Sequence, residues 1–301
     1  MPATTTNPGH RTRPARPRRG LSLRPRHLGS ALIWGLVITN LLLLVWMVLT
    51  SLRDTKSIFE HPVGWPSSPH WANYTTAWKT GGFGRGLVNS TVVSTTSAAA
   101  AVAVAAPAAY ALARTRKRVG GPLTMLFALG VGIPGQLIVI PVYLAFAKTQ
   151  DATHLKLLDS MQGLILVYTG LAIPFTVFLL TGYFVSLPLE IEEAAVIDGA
   201  GTVRTFIQVV LPLARSGLIT AFTLAVLGAW NETLFSIILT TRAQTRTLPA
   251  ALLSFIDQQQ FQGSDWGGMF AGVIIVMLPV LALFVVLGQR LVSGMTVGAG
   301  K

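Results

Sequence analysis

Apolar residues along this chain gather into six long runs that are separated by shorter, more polar connections. Each run reaches the roughly 20 residues that a helix needs to cross the hydrocarbon core of a bilayer. The pattern therefore predicts an all-α membrane protein with six transmembrane helices. The predicted spans are residues 31–50, 87–113, 122–147, 161–186, 216–240 and 268–290.

Several prolines lie inside these runs, where a proline removes a backbone donor and bends a helix. The carbonyl groups freed by such a bend need partners within the bilayer. A lined pathway would supply these partners, and packing against neighbouring helices would do so equally well. The prolines are Pro134, Pro141, Pro174 and Pro279.

Composition agrees with a membrane protein, since charged residues make up only 11% of the chain, whereas a soluble domain is about one quarter charged. Residues 1–29 are rich in Arg, Pro and Thr and predict a disordered basic tail. Lys and Arg are concentrated in this tail and in the connections on its side, which predicts that both termini are cytoplasmic. This placement accounts for the net charge of +12 and argues against nucleic acid as a partner.

The connection between the fourth and fifth predicted spans differs from the rest of its basic side because it is acidic. Three of the chain's eleven acidic residues, Glu190, Glu192 and Glu193, lie there within four positions. Negative charge is favourable near the N-terminus of a helix, and Ser186 is expected to cap one here. Residues 187–215 therefore predict a helix that begins close to the end of the fourth span.

A turn and a second helix are expected to follow in the same connection. Asp198 and Gly199 are expected to end the first helix, because glycine permits a left-handed turn, and Thr202 is expected to cap the second. The spacing i, i+3, i+4, i+7, i+8 predicts an amphipathic helix along the membrane surface. Its expected apolar face comprises Val203, Phe206, Ile207, Val210 and Leu211.

Two interpretations of this helix–turn–helix follow from the residues alone. Small side chains at Ala194, Ala195 and Ala200 would let another protein approach the backbone, and the carboxylate of Glu193 would suit an arginine of that protein. The alternative is an interfacial loop with a solvated acidic cap.

The stretch EEAAVIDGAGTVRTFIQVVLPLARSG resembles the cytoplasmic loop of ABC importer permeases. That loop is written E-A-A, three residues, G, nine residues, I, one residue, L-P. The spacing is intact here, although Val209 stands where the family usually has isoleucine. The matching positions are Glu193, Ala194, Ala195, Gly199, Leu211 and Pro212.

Further segments resemble the maltose-type, smaller six-span permease subunit of carbohydrate importers, over roughly residues 30–301. This resemblance implies the type I ABC importer permease fold and a place in the cell membrane of a bacterium. The segments are NSTVVS at 89, AAYALAR at 108, IPVYLAF at 140, AWNETLFSIILT at 229, RTLPAAL at 246 and the final QRLVSGMTVGAGK.

The resemblance also implies partners. In this family two related permease subunits form one pathway for a sugar, two ATPase subunits bind ATP and Mg²⁺, and an extracytoplasmic binding protein delivers the substrate. No G-x-x-x-x-G-K-[ST] phosphate loop is present in this chain, so we expect no cofactor in it and no enzymatic activity of its own. The resemblance assigns the ATPase contact to Glu193, within a coupling loop shaped by Ala194, Ala195, Asp198, Gly199, Ala200, Leu211 and Pro212.

Glu232 is the one ionisable residue well within a predicted span, and it adjoins Trp230 and Asn231. Ionisable residues in a membrane usually face a cavity or a partner. Stacking by the Trp and hydrogen bonds to the Asn and Glu would suit a sugar pathway. A structural hydrogen bond near the outer end of the fifth span is the alternative.

The outer connection 241–267 is polar, and the resemblance implies that it faces the binding protein. The alternative is a solvated loop without a partner. Its candidate contact residues are Asp257, Gln258, Gln259 and Gln260.

Three other classes of protein are weighed against a sugar permease. An ion-coupled secondary transporter would more often show repeats and several intramembrane ionisable groups. An intramembrane enzyme is disfavoured because the chain has no cysteine and all its histidines lie outside the predicted spans, so we expect neither catalytic nor metal-ligating residues. An ABC permease for a non-sugar solute is the nearest rival.

Overall fold

The structure, a computed structural model, describes the backbone of residues 25–296 and the side chains of residues 29–260 and 263–285. Most of the predicted basic tail therefore lies outside the described residues. Every regular element within residues 25–296 is helical, which confirms the predicted all-α class. Contacts divide the chain into one unit that ends at Trp46 and another that begins at Met47.

The first unit contributes most of helix α1, which runs from Pro25–Ser51 and continues into the second unit. The elements of the second unit follow in chain order. They are α2 (Thr55–Glu60), α3 (Ala72–Thr80), α4 (Phe83–Arg114), α5 (Lys117–Val131), α6 (Gly135–Thr153), α7 (Met161–Val185), α8 (Leu189–Ile197), α9 (Thr202–Thr205), a π-helical turn (Phe206–Val210), α10 (Leu211–Leu213), α11 (Arg215–Asn231), α12 (Leu234–Leu239), α13 (Leu248–Gln262) and α14 (Trp266–Thr296).

Four helices in the described part of the chain, α1, α4, α7 and α14, are long and apolar enough to cross a membrane. Two bent pairs pass the same test. Helices α5 and α6 meet at 89°, and the segment Thr202–Leu213 meets α11 at 76°. The number of candidate spans is therefore four, or up to six if each bent pair counts as one span.

The third predicted span, residues 122–147, is not one helix, because α5 ends before Gly132 and α6 begins at Gly135. Pro134 has no amide hydrogen and disfavours the helical conformation at the residue before it. It is itself extended, with φ −63° and ψ 128°. The other three prolines singled out above lie inside continuous helices: Pro141 in α6, Pro174 in α7 and Pro279 in α14.

The fifth predicted span, residues 216–240, is also interrupted. Helix α11 ends at Asn231, Glu232 is extended with φ −73° and ψ 116°, and the short helix α12 begins at Leu234. The chain therefore leaves the helical conformation at the one residue of this run that carries a charge.

Helix α4 packs closely against α7 and α11 because its buried face is made of small residues, which let helix backbones approach one another. The hydroxyl of Ser97 donates to the carbonyl of Ile165 in α7 at 3.3 Å. This packing gives α8 and the following turn a fixed support at the ends of α4 and α7. The buried small residues of α4 are Ser90, Ser94, Ser97, Ala98, Ala101, Ala105, Ala106 and Ala109.

Candidate functional site

Helix α8 begins differently from the sequence expectation, since Ser186 does not cap it. Pro188 precedes the first helical residue and makes no side-chain cap. Ser186 instead ends α7, where its hydroxyl donates to the carbonyl of Tyr183 at 2.7 Å. Ser186 therefore belongs to the end of α7, although it was predicted to cap the start of α8.

The turn after α8 has the expected form. Asp198 is its C-cap, and Gly199 has φ 84°, in the left-handed region. The N–H of Ala200 donates to the carbonyl of Ala195 at 2.9 Å, and the N–H of Gly199 donates to that of Val196 at 3.0 Å. These two bonds form the Schellman pattern, which satisfies the last carbonyls of a helix and reverses the chain.

Glu192 fixes α8 to the end of α4, a contact that the sequence analysis missed. Its carboxylate forms an ion pair with Arg114 in which the guanidinium Nε lies 3.1 Å from both carboxylate oxygens and Nη2 also donates. The hydroxyl of Tyr110 donates to the same carboxylate at 2.8 Å. Arg114 further donates from Nη1 to the carbonyl of Phe184 at 3.0 Å, so one guanidinium joins α4, α7 and α8.

This ion pair is largely withdrawn from solvent, with 19% of the Arg114 side chain and 12% of the Glu192 side chain exposed. Desolvation pushes the pKa of Glu192 upward, but the hydrogen bonds from Arg114 and Tyr110, together with the charge of Arg114, outweigh it and lower that pKa. The carboxylate is therefore charged at neutral pH. Tyr110 also stacks on Phe206 of the π-helical turn, with ring centroids 5.0 Å apart.

Glu193 has a different environment from its neighbour, because it points to solvent. Glu193, Ala194, Asp198 and Gly199 are exposed, while Ala195 and Ala200 are half-buried. Apolar side chains surround this surface, and Ile197 has 86% of its area exposed. An exposed carboxylate with an apolar border is a surface suited to another protein.

The second predicted helix is divided among α9, the π-helical turn and α10, and its side chains differ in exposure. Val203 and Ile207 are exposed, whereas Thr205 and Val210 are buried. The π-helical turn has more residues per turn than the 3.6 of an α-helix, so the expected i, i+3, i+4 spacing does not hold across Phe206–Val210. Leu211 is half-buried and Pro212 is exposed just before the bend at Ala214.

The proposed pathway residues, Trp230, Asn231 and Glu232, do not share one surface. Trp230 is buried, with 8% of its area exposed, and its indole N–H has no partner among the described residues. Asn231 is exposed and donates to the carbonyl of Leu227 at 2.8 Å within its own helix. The three residues therefore do not form one sugar-binding cluster in this structure.

Glu232 both shapes the chain and lines a cavity. One carboxylate oxygen accepts from the N–H of Phe235 at 3.1 Å, which caps α12, and its carbonyl accepts from the hydroxyl of Tyr168 at 3.0 Å. The same residue borders a cavity of about 270 Å³ between α7 and α11, with Tyr168, Phe175 and Thr176 on the opposite wall. The capping hydrogen bond expected of a structural role is therefore observed, and the residue also borders a cavity.

A second ion pair, between Asp159 and Arg242, joins the residues before α7 to those after α12. Asp159 is left-handed, with φ 49°. One carboxylate oxygen accepts from the backbone N–H groups of Thr241 at 3.2 Å and Arg242 at 3.1 Å, and from the Thr245 hydroxyl at 2.6 Å. The other oxygen accepts from the Arg242 guanidinium. No local pattern along the chain indicates this group of contacts.

The candidate binding-protein contact is helical, although the sequence described it as a polar loop. Asp257, Gln258, Gln259 and Gln260 lie in the last turns of α13. Gln259 is half-buried and the other three are exposed. The side-chain amide of Asn89 in α4 fixes the segment before α13. It donates to the carbonyls of Gln244 at 2.8 Å and Arg246 at 2.9 Å.

Residues 101–297 match the family described as binding-protein-dependent transport system inner membrane component, so the chain belongs to that family. It is 32% identical over 282 residues to a probable ABC transporter permease of Bacillus subtilis, covering 92% of this chain and 91% of the relative. It is 31% identical over 264 residues to a trehalose transport permease of Mycobacterium tuberculosis, covering 87% and 92% respectively.

A diacetylchitobiose uptake permease of Streptomyces coelicolor is 32% identical over 257 residues, with 85% of this chain and 90% of the relative covered. Among solved structures, a bacterial ABC transporter for import of the acidic polysaccharide alginate aligns with a TM-score of 0.72 at 22% identity, covering 91% of this chain and 99% of that one. This confirms the type I importer permease fold.

Family membership makes the chain a multi-pass component of a bacterial inner membrane and a transport subunit rather than an enzyme. The family name also implies a binding protein as a partner. The resemblance drawn from the acidic loop is confirmed at this level.

Proposed function

We propose that this chain is a permease subunit for ATP-driven import of a sugar or oligosaccharide. It would form half of a pathway with a second permease, and would work with two ATPase subunits that bind ATP and Mg²⁺. Both termini would be cytoplasmic. The observation that carries the proposal is the exposed Glu193 on α8, in a loop that matches the family's spacing and is fixed to two spans. Relatives named for trehalose and diacetylchitobiose support a sugar as the solute.

The coupling role rests on how α8 is attached. A partner that pulls on Glu193 moves α8, and α8 is joined through Glu192 to Arg114 of α4 and, through the same guanidinium, to the end of α7. Bidentate Arg–carboxylate pairs transmit orientation as well as position, because two parallel bonds fix the angle between the groups. Movement at the exposed loop would therefore reach both spans together.

The cavity bordered by Glu232 is the proposed sugar contact within the pathway. It is bordered by the carboxylate of Glu232 and the exposed ring of Phe175, groups that hydrogen-bond to or stack on a sugar. The exposed residues Asp257, Gln258 and Gln260 of α13, with Gln259 beside them, are the proposed contact with the binding protein.

Charge reversal at Glu193 tests the coupling role. Glu193→Arg is expected to reduce binding-protein-stimulated ATPase activity and uptake roughly tenfold or more, as expected when a charge at an interface is reversed. Glu190→Arg is the matched control, because Glu190 is exposed on the same helix. Co-purification with the ATPase and normal uptake by Glu193→Arg would contradict the proposal.

Two substitutions separate the roles of Glu232. Glu232→Gln keeps an oxygen that can accept from the Phe235 N–H but removes the charge, whereas Glu232→Ala removes both. The proposal expects Glu232→Gln to raise the KM for sugar uptake roughly tenfold with normal assembly, since a hydrogen bond to a charged group is lost. An unchanged KM in Glu232→Gln, with poor assembly of Glu232→Ala, would leave only the capping role.

A further inference from the structure

An open apolar groove lies between the end of α4, the first turns of α5 and the C-terminal half of α7. Its volume is about 910 Å³, within the range of roughly 300–1,000 Å³ that is usual for small-molecule sites. The lining is predominantly apolar, and its larger side chains include Leu112, Met125, Phe178, Leu179, Tyr183 and Val185.

Glycines keep this groove open. A Cβ atom added at Gly121 or at Gly182, which line it from α5 and α7, would meet no atom within 4 Å. Both glycines therefore face open space, and a larger side chain at either position would enter the groove. An elongated apolar ligand would be needed to fill it.

One end of the groove is strongly basic. Arg116 precedes α5, and Lys117 and Arg118 are its first residues. All three are exposed, and Lys117 itself lines the groove. None of the three forms an ion pair with any carboxylate whose side chain the structure describes. Arg114, two residues earlier, is not available because Glu192 and the Phe184 carbonyl already use its guanidinium.

We propose that this groove binds one anionic phospholipid of the cytoplasmic leaflet. An acyl chain lies along the apolar walls, and the phosphate is held by Arg116, Lys117 and Arg118. Charge complementarity selects this occupant over a neutral lipid, since the cytoplasmic leaflet is anionic and attracts basic segments beside a span. The proposal depends on the cytoplasmic placement of the α4–α5 connection but not on the identity of the transported solute.

Native mass spectrometry of the full chain, purified with the subunits that accompany it, tests this directly. After delipidation, the complex is titrated with phosphatidylglycerol or with phosphatidylcholine. One tightly retained phosphatidylglycerol per chain is expected, with phosphatidylcholine bound roughly fivefold more weakly for each basic side chain that contributes. Inorganic phosphate at the same concentration should not displace the lipid.

Two kinds of variant divide the site into its charged and apolar parts. Lys117→Glu combined with Arg118→Glu should lose the preference for phosphatidylglycerol, whereas Lys79→Glu, an exposed lysine in α3, should keep it. Gly121→Leu should weaken retention of the lipid by filling the groove, and Gly170→Leu is its control, since Gly170 is also open but lies outside the groove. Gly182→Leu provides a second filling variant on the opposite wall.

Three results would overturn the proposal. The first is equal retention of the two lipids by the wild type. The second is unchanged lipid preference in the doubly reversed variant while both filling variants fold and bind normally. The third is absence of lipid from a complex in which a second permease covers the groove, which would assign the groove to subunit contact.

Discussion

Two ion pairs in the described part of the chain, Asp159–Arg242 and Arg114–Glu192, are built in different ways. One stabilises the path of the backbone, and the other attaches one helix to two others. The Asp159–Arg242 pair includes two backbone N–H groups and a left-handed aspartate, so it fixes the path of the chain itself. The Arg114–Glu192 pair is held by side chains and one carbonyl, and it joins helices whose backbones are already complete. The first pair stabilises a loop, while the second attaches α8 to α4 and α7.

The two pairs also differ in how far their arginine side chains are exposed to solvent. Arg242 has 52% of its side chain exposed, whereas Arg114 has 19%. Exposed ion pairs contribute little to the free energy of unfolding on their own. Asp159 therefore stabilises the fold mainly by accepting hydrogen bonds from backbone N–H groups. Substitution of either Arg114 or Glu192 would leave the other as an unpaired charge that is nearly buried.

The largest effect is expected from Arg114→Ala. It leaves Glu192 with only the Tyr110 hydroxyl, and breaking a buried pair on one side costs roughly 3–5 kcal/mol. Thermal unfolding of the purified complex should therefore begin at a clearly lower temperature, and uptake should be lost. Arg85→Ala is the matched control, because Arg85 lies in the same helix and is exposed. Equal stability of the two variants would remove the distinction between the ion pairs.

A smaller effect is expected from Asp159→Ala, which leaves the N–H groups of Thr241 and Arg242 without their acceptor at a cost of roughly 1–3 kcal/mol. Asp159→Asn should retain most of the stability, because asparagine accepts hydrogen bonds and tolerates the left-handed conformation. Chemical denaturation of the two variants side by side measures this. If both lose the same stability, charge rather than backbone satisfaction is the main contribution of Asp159.

Gly199→Ala tests the turn after α8, the one left-handed backbone position of the coupling loop, at a cost of roughly 1–2 kcal/mol. The added Cβ meets no atom within 4 Å, so the effect comes from φ alone, and Gly199→Asn should cost less. We expect ATPase coupling to fall more than stability. Unaltered coupling in Gly199→Ala would show that the position of Glu193 does not depend on this turn.

The smallest effect concerns pH. Desolvation raises the pKa of Asp159, but hydrogen bonds from Thr245 and Arg242 and the charge of Arg242 outweigh it and lower the pKa from 3.8 to about 2. A lowered pKa contributes stability that is complete above 3.8 and is lost as pH falls towards 2. The stability difference between wild type and Asp159→Asn should therefore be constant from pH 8 to 5 and shrink only in acid. A change between pH 8 and 5 would contradict this assignment.

The sequence was sufficient where local chemistry decides the structure. The Gly199 turn follows from the properties of glycine, and the all-α class follows from the lengths of the apolar runs. It was insufficient where distant residues meet, because Arg114 and Glu192 are 78 positions apart and Asp159 and Arg242 are 83 apart.

Sequence rules for proline and for helical spacing also failed at some positions, because packing between helices overrides them. Four prolines had the same signature, yet only Pro134 breaks a helix, since the conformation of each depends on neighbouring helices. The 3.6-residue spacing also missed the π-helical turn Phe206–Val210, which interrupts the predicted second helix. Glu193 was identified from its motif, but nothing local distinguished it from Glu192, which faces the opposite way.

The break between α5 and α6 has a consequence for the order in which the protein is made. Helix α5 has 15 residues, so it extends only about 22 Å at 1.5 Å per residue and is short for a bilayer about 30 Å thick. A Cβ on Gly130 would lie 3.2 Å from Pro174 of α7, and one on Gly135 would lie 3.3 Å from Phe235 of α12. The contacts on either side of the break are therefore made with segments that the ribosome delivers later. We therefore expect the packing around this break to be completed only once the ribosome has delivered α12.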